Sequence, residues 1–274
     1  MSMAISAANR VPATFSLNRA QSAQNTQNTQ NNRPAERLAS GRRINSAADD
    51  AAGLAISQRL ESLIRGFDRG IDNSLDMQNL LTTADGGLGG ISDNLQRVRE
   101  LGLQAQNGIL TDSDRANIQR EVDQLLDQID TVASSTQFNT RNLLDGTAQD
   151  LHTASNPDGT GMSVSISGFR TSDLGVSGFD VSGGSFDLGR IDRAMNQVNE
   201  ARAIAGASTN RLDYNIQNNR IGAENTAAAN SRIADADMGR EAMNFNTNRI
   251  LEQYRLFSLR SQMQRSGNLI NLLM

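Results

Sequence analysis

The sequence predicts a mainly α-helical fold: an elongated antiparallel coiled coil or helical bundle formed by the N- and C-terminal segments, with a small β-hairpin region in the middle. Three observations carry this. The only prolines are Pro12, Pro34 and Pro157, so two long proline-free stretches flank one break. Within those stretches apolar residues recur at heptad spacing. Between them glycine and serine dominate, and the apolar period drops to two.

The elements follow in order. Ile56, Leu60, Leu63 and Phe67 keep a helical beat, and Leu81, Ala84, Leu88, Ile91, Leu95 and Val98 continue it with the regular alternating steps of a heptad seam. A helix from about Asp49 to Gln106 would be on the order of 85 Å long. Glycines 86, 87, 89 and 90 lower its propensity and point to a thin waist or a close helix approach. Gly108 is a stop signal, and "TDSD" (Thr111 to Asp114) restarts the chain as a capping box. The next helix carries Ile118, Val122, Leu125, Ile129 and Val132, making a helical hairpin with the first. From about Phe138 to Phe186 "GMSVSISGF" alternates Met162, Val164 and Ile166 with serine, as a half-exposed strand does, and "DLGVSGFDVSGG" reads as further short strand and turn. Helix returns with Leu188, Ile191, Met195 and Val198. The last stretch, from Met243, sets Ile250, Tyr254 and Phe257 on one stripe and ends in "NLINLLM".

Composition narrows the function. Aromatics make up 4% of the 274 residues and tryptophan is absent, which favours thin packing over a compact enzyme core. A net charge of −4 argues against a nucleic-acid surface. All 26 basic residues are arginine, which excludes lysine Schiff-base chemistry and the Gly-Lys phosphate loop. No cysteine is present, so disulfides and thiolate sites are excluded. The N-terminal residues lack the charged-then-apolar layout of a cleaved secretory signal, and no run reaches the roughly 18 apolar residues of a membrane span. No cofactor, metal, nucleic-acid or membrane partner is expected.

Paired Asp49 and Asp50 precede an alanine-rich run. Ser46-x-x-Asp49 has capping-box spacing, and both carboxylates suit a helix start. Adjacent carboxylates on a helix diverge by about 100°, which suits a two-acid hydrolase poorly. His152 is the only histidine and sits in a polar loop without a partner. "GGLGG" lacks the strand and spacing of a nucleotide loop. "QNTQNTQNNR" (24–33) contains no apolar residue and reads as flexible or looped.

Several stretches together resemble bacterial flagellin: "SLNRAQSA", "ERLASGRRINSAADDAAGLAISQRLESLIRG", "DNLQRVRELGLQAQNG" and "IQREVDQLLDQIDTVASSTQFNTRNLLDG" towards the N-terminus, then "IDRAMNQVNEARAIAGASTNRLDYNIQNN" and "SRIADADMGREAMNFNTNRILEQYRLFSLRSQMQRSGNLINLLM". The resemblance implies a non-enzymatic structural subunit that polymerises with itself into the extracellular flagellar filament. It implies passage through the type III export apparatus, and as partners an export chaperone, the filament cap, hook–filament junction proteins and Toll-like receptor 5. The implied layout is an N-terminal inner-core helix and spoke (1–45), an N-terminal outer-core helical hairpin (46–146), a short β-rich segment (147–186), a C-terminal outer-core helix (187–230) and a C-terminal inner-core helix (231–274). Arg43, Ser46, Asp49 and Asp50 would fix the junction, with Arg43 free to contact a neighbour. Gln96, Arg97, Arg99, Glu100, Leu101 and Glu121 match the receptor and protofilament contact surface. Ile250, Tyr254, Phe257, Leu269, Leu272 and Leu273 would pack the inner core. Two departures from the family pattern stand out: Gly102 replaces the usual alanine, and the stretch before Gly41 is about seven residues longer and carries Pro34. The alternatives are a hook–filament junction protein, which shares terminal sequences, and a filament subunit carrying an enzyme in its middle.

Overall fold

The computed structural model describes residues 33–183 and 185–273. Helix α1 covers described residues 33–40, α2 Ala51–Ala105, α3 Asp112–Ser135, α4 Gly189–Ala234 and α5 Met238–Leu273. Between α3 and α4 lie two antiparallel strand pairs. β1 (Gln137–Phe138) pairs with β2 (Arg141–Asn142), and β3 (Leu151–Thr153) pairs with β4 (Met162–Val164), Leu151 opposite Val164. The described residues pack as two compact units, one of residues 33–61 together with 227–273, the other of residues 62–226.

In the second unit the heptad seam of α2 is the core. Leu81, Ala84, Leu88, Ile91, Leu95 and Val98 are all buried, and the seam runs on through Met77, Leu101 and Ala105. Each fully buried leucine or isoleucine contributes about 1.5–3 kcal/mol. α3 lays Ile118, Val122, Leu126, Ile129 and Ala133 into the same core. Its stripe is turned slightly from the expected one, leaving Leu125 and Val132 only partly buried. α4 adds Ile191, Ala194, Val198, Ala205 and Leu212. It runs antiparallel to α2, as the cross-links show: Arg99 with Asp192 at 2.7 Å, Arg202 with Asp85 at 2.8 Å, and the Gln78 amide donating to Asp213 at 2.6 Å.

Further towards its N-terminus α2 departs from the sequence expectation. Ile56 and Leu63 face outward, and the buried positions are small ones: Gly53, Ser57, Gly70 and Ser74. Close backbone approach explains Gly70. A Cβ on Gly70 would lie 2.6 Å from the Ser155 carbonyl oxygen, so the β3–β4 connection sits directly on the helix. Buried Asn219 on α4 clamps the same connection, donating to the Ser155 carbonyl at 2.6 Å, and Asn73 donates to that of Ala154 at 2.8 Å.

The middle segment corrects two further expectations. His152 lies on β3 opposite Ser163 rather than in a loop, with its side chain exposed. "DLGVSGFDVSGG" forms no strand among the described residues. It is a run of turns whose Leu174, Val176, Phe179 and Val181 are buried. Side chains from neighbouring helices hold its backbone in place of a partner strand. The Gln119 carboxamide donates to the Phe179 carbonyl and accepts the Val181 N–H, and Arg190 donates to the carbonyls of Gly175 and Ser177. Asp130 accepts both the N–H and the hydroxyl of Thr171, each at 2.8 Å.

The glycine run of α2 is not a uniform close approach. Only Gly87 packs tightly, against Thr136 and Leu144; Cβ atoms on Gly86, Gly89 and Gly90 would meet open space. Gly102 is different. It is buried, and a Cβ there would come within 2.6 Å of the Leu188 side chain. The missing Cβ at this position lets Leu188 and Phe186 close over α2.

Candidate functional site

The joint region lies in the first unit. α1 leads into Gly41 at φ +70°, a left-handed turn that glycine tolerates. There the chain meets the end of α4. Arg42 bridges Asp235, the Arg43 N–H donates to the Ala234 carbonyl at 2.7 Å, and the Ala236 N–H donates to that of Gly41 at 3.0 Å. Pro34 lies within helical α1 and interrupts nothing among the described residues. Arg37 pairs with buried Glu241 at 3.3 Å, and Arg42 with Glu61 at 2.8 Å. The Arg43 guanidinium donates to the Ile233 carbonyl, so within this chain it is engaged in the joint.

Asp49 and Asp50 have separate jobs. Asp50 is the N-cap of α2, its carboxylate accepting the Gly53 N–H at 2.8 Å. Asp49 closes the turn before it, accepting the N–H groups of Asn45 and Ser46 and the Ser46 hydroxyl, all on one oxygen. Desolvation pushes the Asp49 carboxyl upward. The hydrogen bonds from Asn45 and Ser46, with the charge of Arg33, outweigh it and hold the group below its ordinary value. Ser46 and Asp49 therefore form their own turn, and both aspartates precede the first helical turn instead of lying in it.

The second set of sequence candidates lies on α2 and α3. The Arg97 guanidinium donates to Glu121 at 2.7 and 2.9 Å and to Glu100 at 3.2 Å, making an exposed network across the two helices. Glu121, then Glu100, raise the Arg97 guanidinium above its ordinary value. Gln96 is exposed beside it. Arg99 turns to α4 and pairs with Asp192, and Leu101 is in the core. The structure thus gathers Arg97, Glu100 and Glu121, sends Arg99 to another helix and withdraws Leu101 from the surface.

The third set is on α5. Ile250, Tyr254 and Phe257 are 65%, 72% and 72% exposed, together with Met243 and Leu251. This is a large apolar stripe that the described residues leave uncovered. Residues 24–32 lie outside the described residues, as do the side chains of Leu269, Leu272 and Leu273.

No group of three or more His, Cys, Asp or Glu among the described residues is placed to hold a metal ion, and no helix there is long and apolar enough to cross a membrane. A groove of 390 Å³ in the second unit is floored by Leu81, Leu88, Ala201 and Ala205, with Asp173 and Glu200 as its titratable lining groups. Sequence reasoning missed Gln119 and Asn219, whose amides act only once distant backbone reaches them.

Comparison with known proteins identifies the family. Residues 13–149 match the bacterial flagellin N-terminal helical region, and residues 188–273 match the bacterial flagellin C-terminal helical region. The chain is similar to a flagellin of Halalkalibacterium halodurans, with 38% identity over 80% of this chain and 82% of that one. It is also 38% identical to flagellin FlaB1 of Treponema pallidum, over 80% of this chain and 83% of the relative. Among solved structures, a flagellin of Bacillus cereus is 34% identical over 54% of this chain and 88% of its own, at a TM-score of 0.48. With both helical regions matched in order and relatives aligned over most of their length, the chain belongs to the bacterial flagellin family.

Proposed function

We propose that this chain is the structural subunit that polymerises with itself into the extracellular bacterial flagellar filament. The observation that carries the reading is the stripe of Ile250, Tyr254 and Phe257 on α5, apolar and uncovered among the described residues. Burying it against further copies supplies the driving force, and repeated heterologous contacts build an open helical polymer. Its relatives include a flagellar filament core protein of Brachyspira hyodysenteriae. The role is non-enzymatic: the two adjacent aspartates accept backbone N–H groups in their turns, and the His152 ring hydrogen-bonds the Ser163 hydroxyl on the neighbouring strand.

The finer assignments rest on the family resemblance. They are export without a cleaved signal, and an export chaperone, filament cap and junction proteins as partners. In the same layout residues 1–45 and 231–274 form the inner core, 46–146 and 187–230 the outer core, and 147–186 the short β-rich segment. The exposed Arg97–Glu100–Glu121 network, with Gln96 beside it, is the part of that surface offered to Toll-like receptor 5.

Deleting Met238–Met274 tests the reading. The shortened chain stays monomeric when seeded with filament fragments, as seen by negative-stain microscopy, whereas the full chain elongates them. Filaments grown from the shortened chain would overturn it.

A further inference from the structure

The loop between α2 and α3 contains the chain's one Asn-Gly pair, Asn107–Gly108. We infer that this pair is a site of spontaneous covalent change, at which the folded subunit converts Asn107 to aspartate and isoaspartate with water as the only co-reactant.

Geometry sets the pair apart. Both residues are exposed and outside the helices. The Asn107 side-chain oxygen accepts the Ile109 N–H at 3.3 Å, which folds the carboxamide back over the intervening Gly108 nitrogen. No hydrogen bond occupies that nitrogen among the described residues, and Gly108 has no Cβ to shield it. The backbone nitrogen of Gly108, losing its proton, bonds to Cγ of Asn107. The Cγ–N bond of the carboxamide breaks, and its nitrogen leaves as ammonia with the proton taken up. Water then opens the five-membered imide at either carbonyl, giving aspartate or isoaspartate. One water is consumed, one ammonia is released, and nothing is oxidised or reduced.

The three Asp-Gly pairs offer the same neighbour but a poorer electrophile. Asp145 and Asp158 are held as carboxylates by the hydroxyl and N–H of Thr147 and Thr160, which lower both groups below the ordinary value. Asp85 is paired with Arg202 inside α2. Asn139 is exposed in a turn, but β-branched Thr140 follows it.

The products alter the loop. A new carboxylate joins Asp112 and Asp114 at the start of α3. Isoaspartate also adds a methylene to the main chain, which breaks the bond from the Leu110 N–H to the Asn107 carbonyl, now 3.2 Å. Each subunit thereby carries a covalent record of its age.

The test uses the purified full chain in mildly alkaline buffer. Trypsin cuts after Arg99 and Arg115, and in the resulting peptide Asn107 is the only asparagine. Peptide mass and isoaspartyl methylation with S-adenosylmethionine report the conversion over time. The expected result is conversion at Asn107 several-fold faster than at Asn139, and several-fold slower in Gly108→Ala. That variant folds normally, since its added Cβ meets open space at a φ that is not positive. Conversion at Asn107 no faster than at Asn139, conversion only after unfolding in urea, or an unchanged rate in Gly108→Ala would each overturn the inference.

Discussion

The carboxylate of Asp50 accepts the backbone N–H of Gly53 at 2.8 Å, closing the first turn of α2. Asp50→Ala therefore costs about 0.5–2 kcal/mol, and Asp50→Asn, which keeps an acceptor at the cap, much less. Urea unfolding of the two variants measures the difference. Asp49→Ala acts elsewhere: it releases the 45–49 turn and leaves the Gly53 cap in place. Equal losses for Asp50→Ala and Asp50→Asn would refute the capping role.

Three aspartates share a further pattern. Asp114, Asp145 and Asp158 each accept a threonine hydroxyl, from Thr111, Thr147 and Thr160, and that bond is the main reason their carboxyls sit below the ordinary value. A carboxyl depressed in the folded state stabilises above its unfolded value of about 3.9, and that stability is lost as pH falls through the folded value. The chain consequently loses stability below about pH 5. Replacing all three with asparagine flattens that acid limb while leaving the pH 7 to 8 plateau level. Circular dichroism melts across pH would show it, and an unchanged acid slope would count against the assignment.

The open glycines of α2 give the opposite kind of prediction. Gly86, Gly89 and Gly90 have helical backbone and free space where a Cβ would go. Alanine at each position raises stability by up to about 1 kcal/mol, from helix propensity and a less flexible unfolded chain. Gly87→Ala destabilises instead, because the added Cβ would sit 2.7 Å from the Thr136 hydroxyl oxygen. Thermal melts of the four single variants decide it by sign.

Arg97→Ala separates surface from scaffold. The Arg97–Glu121 pair is half exposed and screened by solvent, so its loss costs little stability and leaves filament growth intact. Receptor signalling by the same variant falls if the Arg97–Glu100–Glu121 surface is the docking face. A cell reporter assay giving the wild-type dose–response would remove Arg97 from it.

Much of the fold was legible because it is periodic. The seam from Leu81 to Val98 is buried at every expected position, and the Thr111–Asp114 capping box forms with both of its hydrogen bonds. Legibility failed where packing is not done by large apolar side chains. Ile56 and Leu63 keep the helical period yet face outward, and the buried positions of that stretch are small residues; at Gly70 the Ser155 carbonyl comes too close for any side chain. The turns from Leu174 to Val181 alternate apolar residues without a partner strand, since Gln119 and Arg190 satisfy their backbone instead. Of the candidate sites, the local caps could be read from spacing. That Leu101 points inward and Arg99 towards Asp192 could not, because helix rotation is fixed only by tertiary partners.

The pairing of Gly41–Arg43 with Ala234–Ala236 also sets an order of events. The bonds that close this unit join residues 190 positions apart, from Arg43 to Ile233, and 204 apart, from Arg37 to Glu241. Contacts of such separation form late, after the intervening loop has already been closed by other structure. A chain emerging from its N-terminus has nothing for Gly41 to pair with until the stretch around Asp235 arrives. The helical hairpin of α2 and α3 can fold on contacts within a few dozen residues. The joint, in contrast, works as the clasp fastened last.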